Sequence, residues 1–243
     1  MKVYKKGDDT SYTLGVFPTI ELLKTRPQEV MRVIVHSTIE QNKGYPLIQE
    51  LCLQHHIHID VHDQTINKLS PKNNCFAIAV FKTYQSEIVD EDHVVLVNPM
   101  DMGNMGTIMR TMLGFNYQNL IIIKPAVDIF DPKVVRSSMG AIFHLNIQYY
   151  QSFEEYYQEY KHHEFYPLML KGAKNIHQVS TQHVCSLIFG NESSGLEDSY
   201  LEYGQSVFIP HSQDIDSLNL SMAVGLTLFH FSKNKFIEKE VLR

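Results

Sequence analysis

The chain has 243 residues, 44% hydrophobic and 20% charged, with a formal net charge of −6, a composition that fits one large or two modest folded domains. It excludes a membrane protein built on long helices, since no run approaches the ~18 apolar residues a span requires. Charge is unevenly distributed: residues 1–85 hold 10 Lys+Arg and 8 Asp+Glu (net +2) and residues 86–243 hold 11 and 19 (net −8), so only the first part suits a polyanion.

The opening MKVYKKGDDTSYTLG has lysines but no apolar core behind them, unlike a secretory signal. PTIELLKT (18–25) is expected as a short amphipathic helix, VMRVIVHS (30–37) as a strand, YPLIQELCLQHH (45–56) as a helix and IHIDVHD (57–63) as a strand of period two. QTINKLS (64–70) is a brief helix before a final strand, CFAIAVFKTY (75–84). Together residues 1–85 form a small α/β domain of a size that can just fold alone. SEIVDEDH (86–93) is acidic and lacks apolar periodicity, which marks a linker. Residues 86–243 form the second domain, with strands HVVLVNP, NLIIIKP, YPLML, CSLIF and SVFIP alternating with helices. Of these, GNMGTIMRTMLGF has a glycine-rich start, DPKVVRSSMGAIF opens on Asp-Pro, SFEEYYQEYKHH carries the capping box Ser152/Glu155, and residues 217–236 form the closing helix. Such alternation implies a parallel sheet covered by helices on both faces. Cys52, Cys75 and Cys185 are odd in number and far apart, as buried free thiols of a reducing compartment would be, and the expected location is cytoplasmic.

Three loops after strands concentrate Gly, Asn, Ser and acidic residues: NPMDMGNMGTIMRT (98–111), IFGNESSGLED (188–198) and IPHSQDIDSLNLSMA (209–223). Ligands of open α/β sheets sit beyond the carboxyl ends of strands, so these loops are the place to look. None is a Rossmann or Walker glycine loop, which leaves a nicotinamide or ATP site unsupported. In this order the three segments resemble the signature motifs of the SpoU-type (TrmH-like) RNA ribose methyltransferases of the SPOUT superfamily, and KVVRSSMGAIFHL (133–145) resembles the segment linking the first two. The resemblance covers roughly residues 92–236. The first domain is similar, more loosely, to the ribosomal-protein-like substrate-binding domain that precedes many such catalytic domains, with Asn74-Cys75-Phe76-Ala77 standing where a glycine is expected.

The resemblance implies a catalytic domain with a carboxyl-terminal trefoil knot, S-adenosyl-L-methionine as cofactor, and methyl transfer to a ribose 2′-hydroxyl of ribosomal or transfer RNA. By the same matching, Asn104 and Arg110 of the first motif, Glu192 of the second, and Ser217 and Asn219 of the third are the catalytic candidates. Gly190, Asn191, Gly195, Ile209, Pro210, Leu218 and Asn219 would contact the cofactor. Arg110 stays protonated and cannot readily act as a base; it suits holding a phosphate and stabilising the ribose oxygen as its proton leaves. Asn104, at the helix start, is expected to orient it, and Glu192 to fix its loop or to receive charge from a neighbouring donor. Met100-Asp101-Met102 lie between Pro99 and Gly103, where the family has Pro close to the Gly-Asn, giving a longer loop with the same working end.

Taken singly, Arg110 would be a solvated helix residue, and Glu192, Ser217 and Asn219 loop and capping residues; their joint occurrence also argues against the rival reading, a non-catalytic RNA-binding relative. The closing helix is apolar nearly all round and needs burial on two sides, pointing to a homodimer. His56, His58, Asp60 and His62 alternate along one strand and are taken as its wet face rather than as a zinc site, so no metal is expected.

Overall fold

The computed structural model describes residues 2–70, 74–233 and 236. In chain order the first elements are β1 (Thr10–Tyr12), α1 (Val16–Thr25), β2 (Val30–Val35), α2 (Tyr45–Gln54), β3 (Ile59–Val61), α3 (Asp63–Leu69) and β4 (Ala77–Lys82). There follow β5 (His93–Val97), α4 (Met102–Gly114), β6 (Asn119–Ile123), α5 (Pro132–Ser137), β7 (Asn146–Tyr150) and α6 (Phe153–Glu159). The last are β8 (Glu164–Leu168), β9 (Lys174–Asn175), β10 (Cys185–Phe189), β11 (Val207–Phe208) and α7 (Leu220–Phe231). These fall into two compact units. One comprises the chain up to Tyr84 together with Asp128–His144; the other comprises Gln85–Val127 and the chain from Leu145 on.

The first unit is built on a four-stranded mixed sheet in the order β1-β4-β2-β3. Its central strand, AIAVFK, is buried over its first five residues, so alternate side chains feed opposite faces. Ile78 and Val80 join Ile34, Ile66 and Leu69 in one cluster. Phe81 faces the other way and meets Phe130 and Phe143 edge-on, at centroid distances of 6.1 and 5.4 Å. The excursion 128–144 is further fastened by Tyr4 donating to Asp128 (2.6 Å), Ser11 to the Phe130 carbonyl (2.5 Å) and Arg26 to the Phe143 carbonyl (3.0 Å). β3, flanked by His58 and His62, is an edge strand, shorter than the expected 57–63. His58 is exposed beside Asp60, and His62 caps α3 by accepting from the Thr65 amide.

The second unit holds a seven-stranded sheet, β7-β6-β5-β10-β8-β11-β9, parallel at every pairing. HVVLV, NLIII and CSLIF are buried at every position, as strands covered on both faces must be. The strand order turns at its centre: β5, β6 and β7 step outward in one direction, and β10 then enters between β5 and β8. That juxtaposition sets the loops after β5 and β10 side by side. The three cysteines are buried and none forms a disulfide.

Several local expectations change. β1, β7 and β9 were not foreseen, being short or mixed in polarity. The closing helix starts at Leu220 rather than Ser217, because Asn219 ends the preceding loop by accepting from the Ser221 amide at 2.9 Å. Beyond Lys233 the expected helix falls, except for Phe236, outside the described residues. The acidic segment 86–92 is fastened rather than free: the Val89 amide donates to Asn119 (3.0 Å) and Asp92 accepts from the Cys185 amide (3.0 Å).

Candidate active site

Each of the three sequence loops leaves the carboxyl end of a strand or enters a helix of the second unit. After β5, Asn98 takes a left-handed conformation (φ 51°), uncommon outside glycine though tolerated by asparagine. Asp101 then caps α4, its Oδ1 accepting from the Asn104 amide at 2.6 Å. After β10, Asn191 Oδ1 accepts from the Ser193 and Ser194 amides (2.9 and 3.3 Å), and the Gly195 amide donates back to the Asn191 carbonyl (2.9 Å). The closed turn needs its glycines. A Cβ on Gly190 would lie 2.1 Å from the Gly195 carbonyl carbon, and Gly195 has φ 68°, a region that side chains disfavour.

The two loops are tied by Glu192. Its carboxylate accepts from both the Met100 and the Asp101 amide, each at 3.1 Å, and the Asn191 side-chain amide donates to the Asn98 carbonyl at 2.7 Å. Of the two roles expected for Glu192, the geometry supports the fixing of its loop: both oxygens are already engaged by backbone donors. The third motif joins through Asn219, whose Nδ2 donates to Asn104 Oδ1 at 3.2 Å. Asn104 is therefore held by Asn219 and makes no hydrogen bond to Arg110, against expectation. The helix repeat explains this, since residues six apart lie well around the cylinder from one another. Arg110 instead shares an exposed stripe with Gly103 and Thr107, and among the described residues no ion pair engages it.

Below the loops lies a cavity of about 490 Å³, within the range usual for small-molecule sites. Of the cofactor candidates, Gly190, Asn191, Gly195, Ile209 and Leu218 line it, as do Glu192 and Ser217. Pro210, Asn219, Asn104 and Arg110 are not among its walls. The loop after β8 was missed: Leu168, Met169, Leu170 and Lys171 form a wall, and Lys171 pairs with Asp198 at the rim. Its sequence, LMLKG, carries no motif, and only the strand order brings it here. Asp101, expected only as part of a longer loop, is the cap of α4, and an Asp one turn ahead of an apolar-periodic run is a legible helix cap.

On the outer face of α7, which packs against α4, Met222, Leu226 and Phe229 are 57%, 41% and 61% exposed. At spacings of four and three they form one apolar stripe.

Residues 91–229 match the family model described as the SpoU rRNA Methylase family. An uncharacterized tRNA/rRNA methyltransferase of Synechocystis sp. is 30% identical over 147 residues, 59% of this chain and 53% of that protein. The 23S rRNA (guanosine(2553)-2′-O)-methyltransferase RlmP of Bacillus subtilis is 24% identical over 156 residues, 63% of this chain and 62% of its own. The chain thus spans between half and two thirds of the length of these relatives. Among solved structures, the AdoMet-bound rRNA methyltransferase of Sinorhizobium meliloti superposes with a TM-score of 0.80 at 21% identity, covering 95% of this chain and 89% of that one. The SpoU methyltransferase AviRb of Streptomyces viridochromogenes, in complex with AdoMet, gives 0.81 at 20% identity, with coverages of 95% and 92%. At these identities the likeness is one of fold.

Proposed function

The chain belongs to the SpoU rRNA methylase family, and from that premise we propose that it transfers the methyl group of S-adenosylmethionine to a ribose 2′-hydroxyl of ribosomal or transfer RNA. The observation that carries this reading is the cavity at the carboxyl ends of β8, β10 and β11, walled by five of the residues that the family resemblance implies for the cofactor.

The residues fit such a ligand. Gly190 leaves the turn no room for a side chain, so backbone amides and carbonyls face the cavity at close range. Leu168, Leu196, Phe208, Ile209 and Leu218 give apolar walls for a purine, while Glu192 and Asp216 bring negative charge to a cationic ligand, that of Asp198 being offset by Lys171. When bound, the cofactor supplies an electrophilic methyl on a positive sulfonium. The chain's own share is alignment. Glu192 and Asn191 hold the loops after β5 and β10 at a fixed separation, and Asn104 with Asn219 fixes the start of α4 against the start of α7. To Arg110, exposed on α4, we assign a phosphate or the charge developing on the ribose oxygen. The first unit, at net +2 against −8 for residues 86–243, is the part suited to hold an RNA backbone.

The apolar stripe on α7 supports a homodimer closed over that helix, since monomers rarely leave such a patch in water. Sedimentation should then show a dimer that Phe229→Glu dissociates; a wild-type monomer at micromolar concentration would contradict it. The entry of β10 between β5 and β8, followed by the return of α7 onto α4, supports the knotted reading of the carboxyl-terminal half. Stretched by its ends, such a chain should stop short of its full contour length, and full extension would refute the knot.

Mapping of ribose 2′-O-methyl sites in total RNA, with and without the gene, tests the activity. One or a few positions should lose their methyl group and regain it on incubation with the purified protein and S-adenosylmethionine. An unchanged map, with no transfer in vitro, would return the protein to the non-catalytic RNA binders.

A further inference from the structure

The amino end of the parallel sheet, opposite the cavity, carries a histidine cluster for which methyl transfer has no use. Asp90 lies in the segment before β5, and His162 and His163 form the turn between α6 and β8. Nε2 of His162 and Nε2 of His163 lie 2.8 and 2.9 Å from the same Asp90 oxygen, Oδ1, and the three atoms all lie within 4.8 Å of one another. The His163 side chain is wholly buried, whereas His162 and Asp90 are open to solvent at 56% and 62%.

The hydrogen bonds behind His163 fix which of its nitrogens bears the proton. His93 Nε2 lies 3.0 Å from the Val89 carbonyl, which can only accept, so Nε2 is the N–H. In the neutral ring this leaves Nδ1 bare, 2.8 Å from the Tyr156 hydroxyl. Tyr156 must therefore donate to His93. Its oxygen then accepts from the Ser186 hydroxyl at 2.6 Å. Ser186 has spent its one proton, so at 2.8 Å it accepts from His163 Nδ1–H. A neutral His163 is left with its bare Nε2 aimed at the Asp90 carboxylate, two acceptors facing each other with no proton between them.

A proton or a metal ion held between them resolves that contact, and the second imidazole at the same carboxylate oxygen points to the metal. We infer that Asp90, His162 and His163 form a binding site for a divalent transition-metal cation of the zinc type, with a fourth position open to water. Two imidazole nitrogens and one carboxylate oxygen are a familiar zinc donor set. With metal–ligand distances of ~2.0–2.2 Å, the two contacts to Asp90 correspond to angles near 90°, and tetrahedral geometry needs each to open by about half an ångström. Ser186 supplies what a metal-bound histidine ordinarily has, a partner for its other ring N–H that fixes tautomer and ring orientation. The site would clip the acidic segment 86–92 to the turn after α6, a structural role at the end of the sheet away from the cavity.

The test uses the full chain, free of any histidine tag, stripped with a chelator and titrated with zinc chloride by calorimetry and in thermal unfolding. One site per chain should fill, the unfolding temperature should rise with zinc, and the chelator should reverse the rise. Cobalt(II) in place of zinc should show the visible absorption of a four-coordinate nitrogen and oxygen site. His162→Asn and Asp90→Asn, both at exposed positions, should each weaken zinc binding more than ~10-fold, leaving the metal-free unfolding temperature near that of the stripped wild type. His58→Asn should change nothing. Absence of one-to-one binding at micromolar zinc would overturn the inference. So would binding that survives Asp90→Asn and His162→Asn but is lost with His58→Asn, because the ion would then sit on the edge strand of the first unit.

Discussion

At the carboxyl end of the seven-stranded sheet, the working side chains are half-buried or exposed, and they bond mainly to backbone: Glu192 to two amides, Asn191 to a carbonyl and two amides, Asn219 to a helix start. At the amino end, His93, Tyr156, Ser186 and His163 are buried and bond mainly to one another. One end holds loops in place around an open cavity; the other holds a chain of protons in a single order. Substitutions at the first should therefore alter binding and transfer, and substitutions at the second should alter stability and metal uptake.

The largest effect that would sharpen this contrast is expected from Arg110→Ala. Loss of a donor aimed at developing charge typically costs ~100–1000-fold in rate, so methyl transfer should fall by about that much while cofactor affinity by calorimetry stays within a few-fold. Near-normal turnover would remove Arg110 from the reaction. Glu192→Ala should come next. It releases the Met100 and Asp101 amides and loosens the loop after β10, weakening cofactor binding about tenfold, or ~1.4 kcal/mol. Unaltered affinity would show that the tie between the loops does not shape the cavity.

Legibility in the sequence divides along the same line. The carboxyl-end loops could be found because their glycines and asparagines answer local backbone needs, the closed turn of 190–195 and the caps of α4 and α7, and local needs leave local patterns. CSLIF was legible as a buried strand at its true limits, 185–189. β7, NIQYY, was not, because Asn146, Gln148 and Tyr149 are only half-buried at the sheet edge and break the apolar run. Pairing between distant segments was also hidden: Asn104 with Asn219, Lys171 with Asp198, and Asp128–His144 with the unit that ends at Tyr84. The His162–His163 pair passes in sequence for the polar end of an amphipathic helix. Only β10, which brings Ser186 behind it, reveals what its ring nitrogens face.

A smaller effect is expected at the amino end. Tyr156→Phe removes one hydroxyl, leaving His93 Nδ1 without a donor and Ser186 without an acceptor, at a cost of about 1–3 kcal/mol. The urea midpoint should fall with an unchanged slope, and cofactor affinity should hold within twofold. If affinity fell with stability, the two ends would not be independent.

The most direct test of the central claim, that the carboxyl-end loops hold the cofactor, is calorimetric titration of S-adenosylmethionine into the wild-type chain and into Gly190→Ala. The added methyl group would have to occupy space 2.1 Å from the Gly195 carbonyl carbon and so must displace the turn that walls the cavity. The account predicts one site per chain in the wild type and at least ~10-fold weaker binding in the variant, with an unchanged circular dichroism spectrum and urea midpoint as evidence that the variant is folded. Wild-type affinity in a folded Gly190→Ala protein would contradict it and place the cofactor elsewhere.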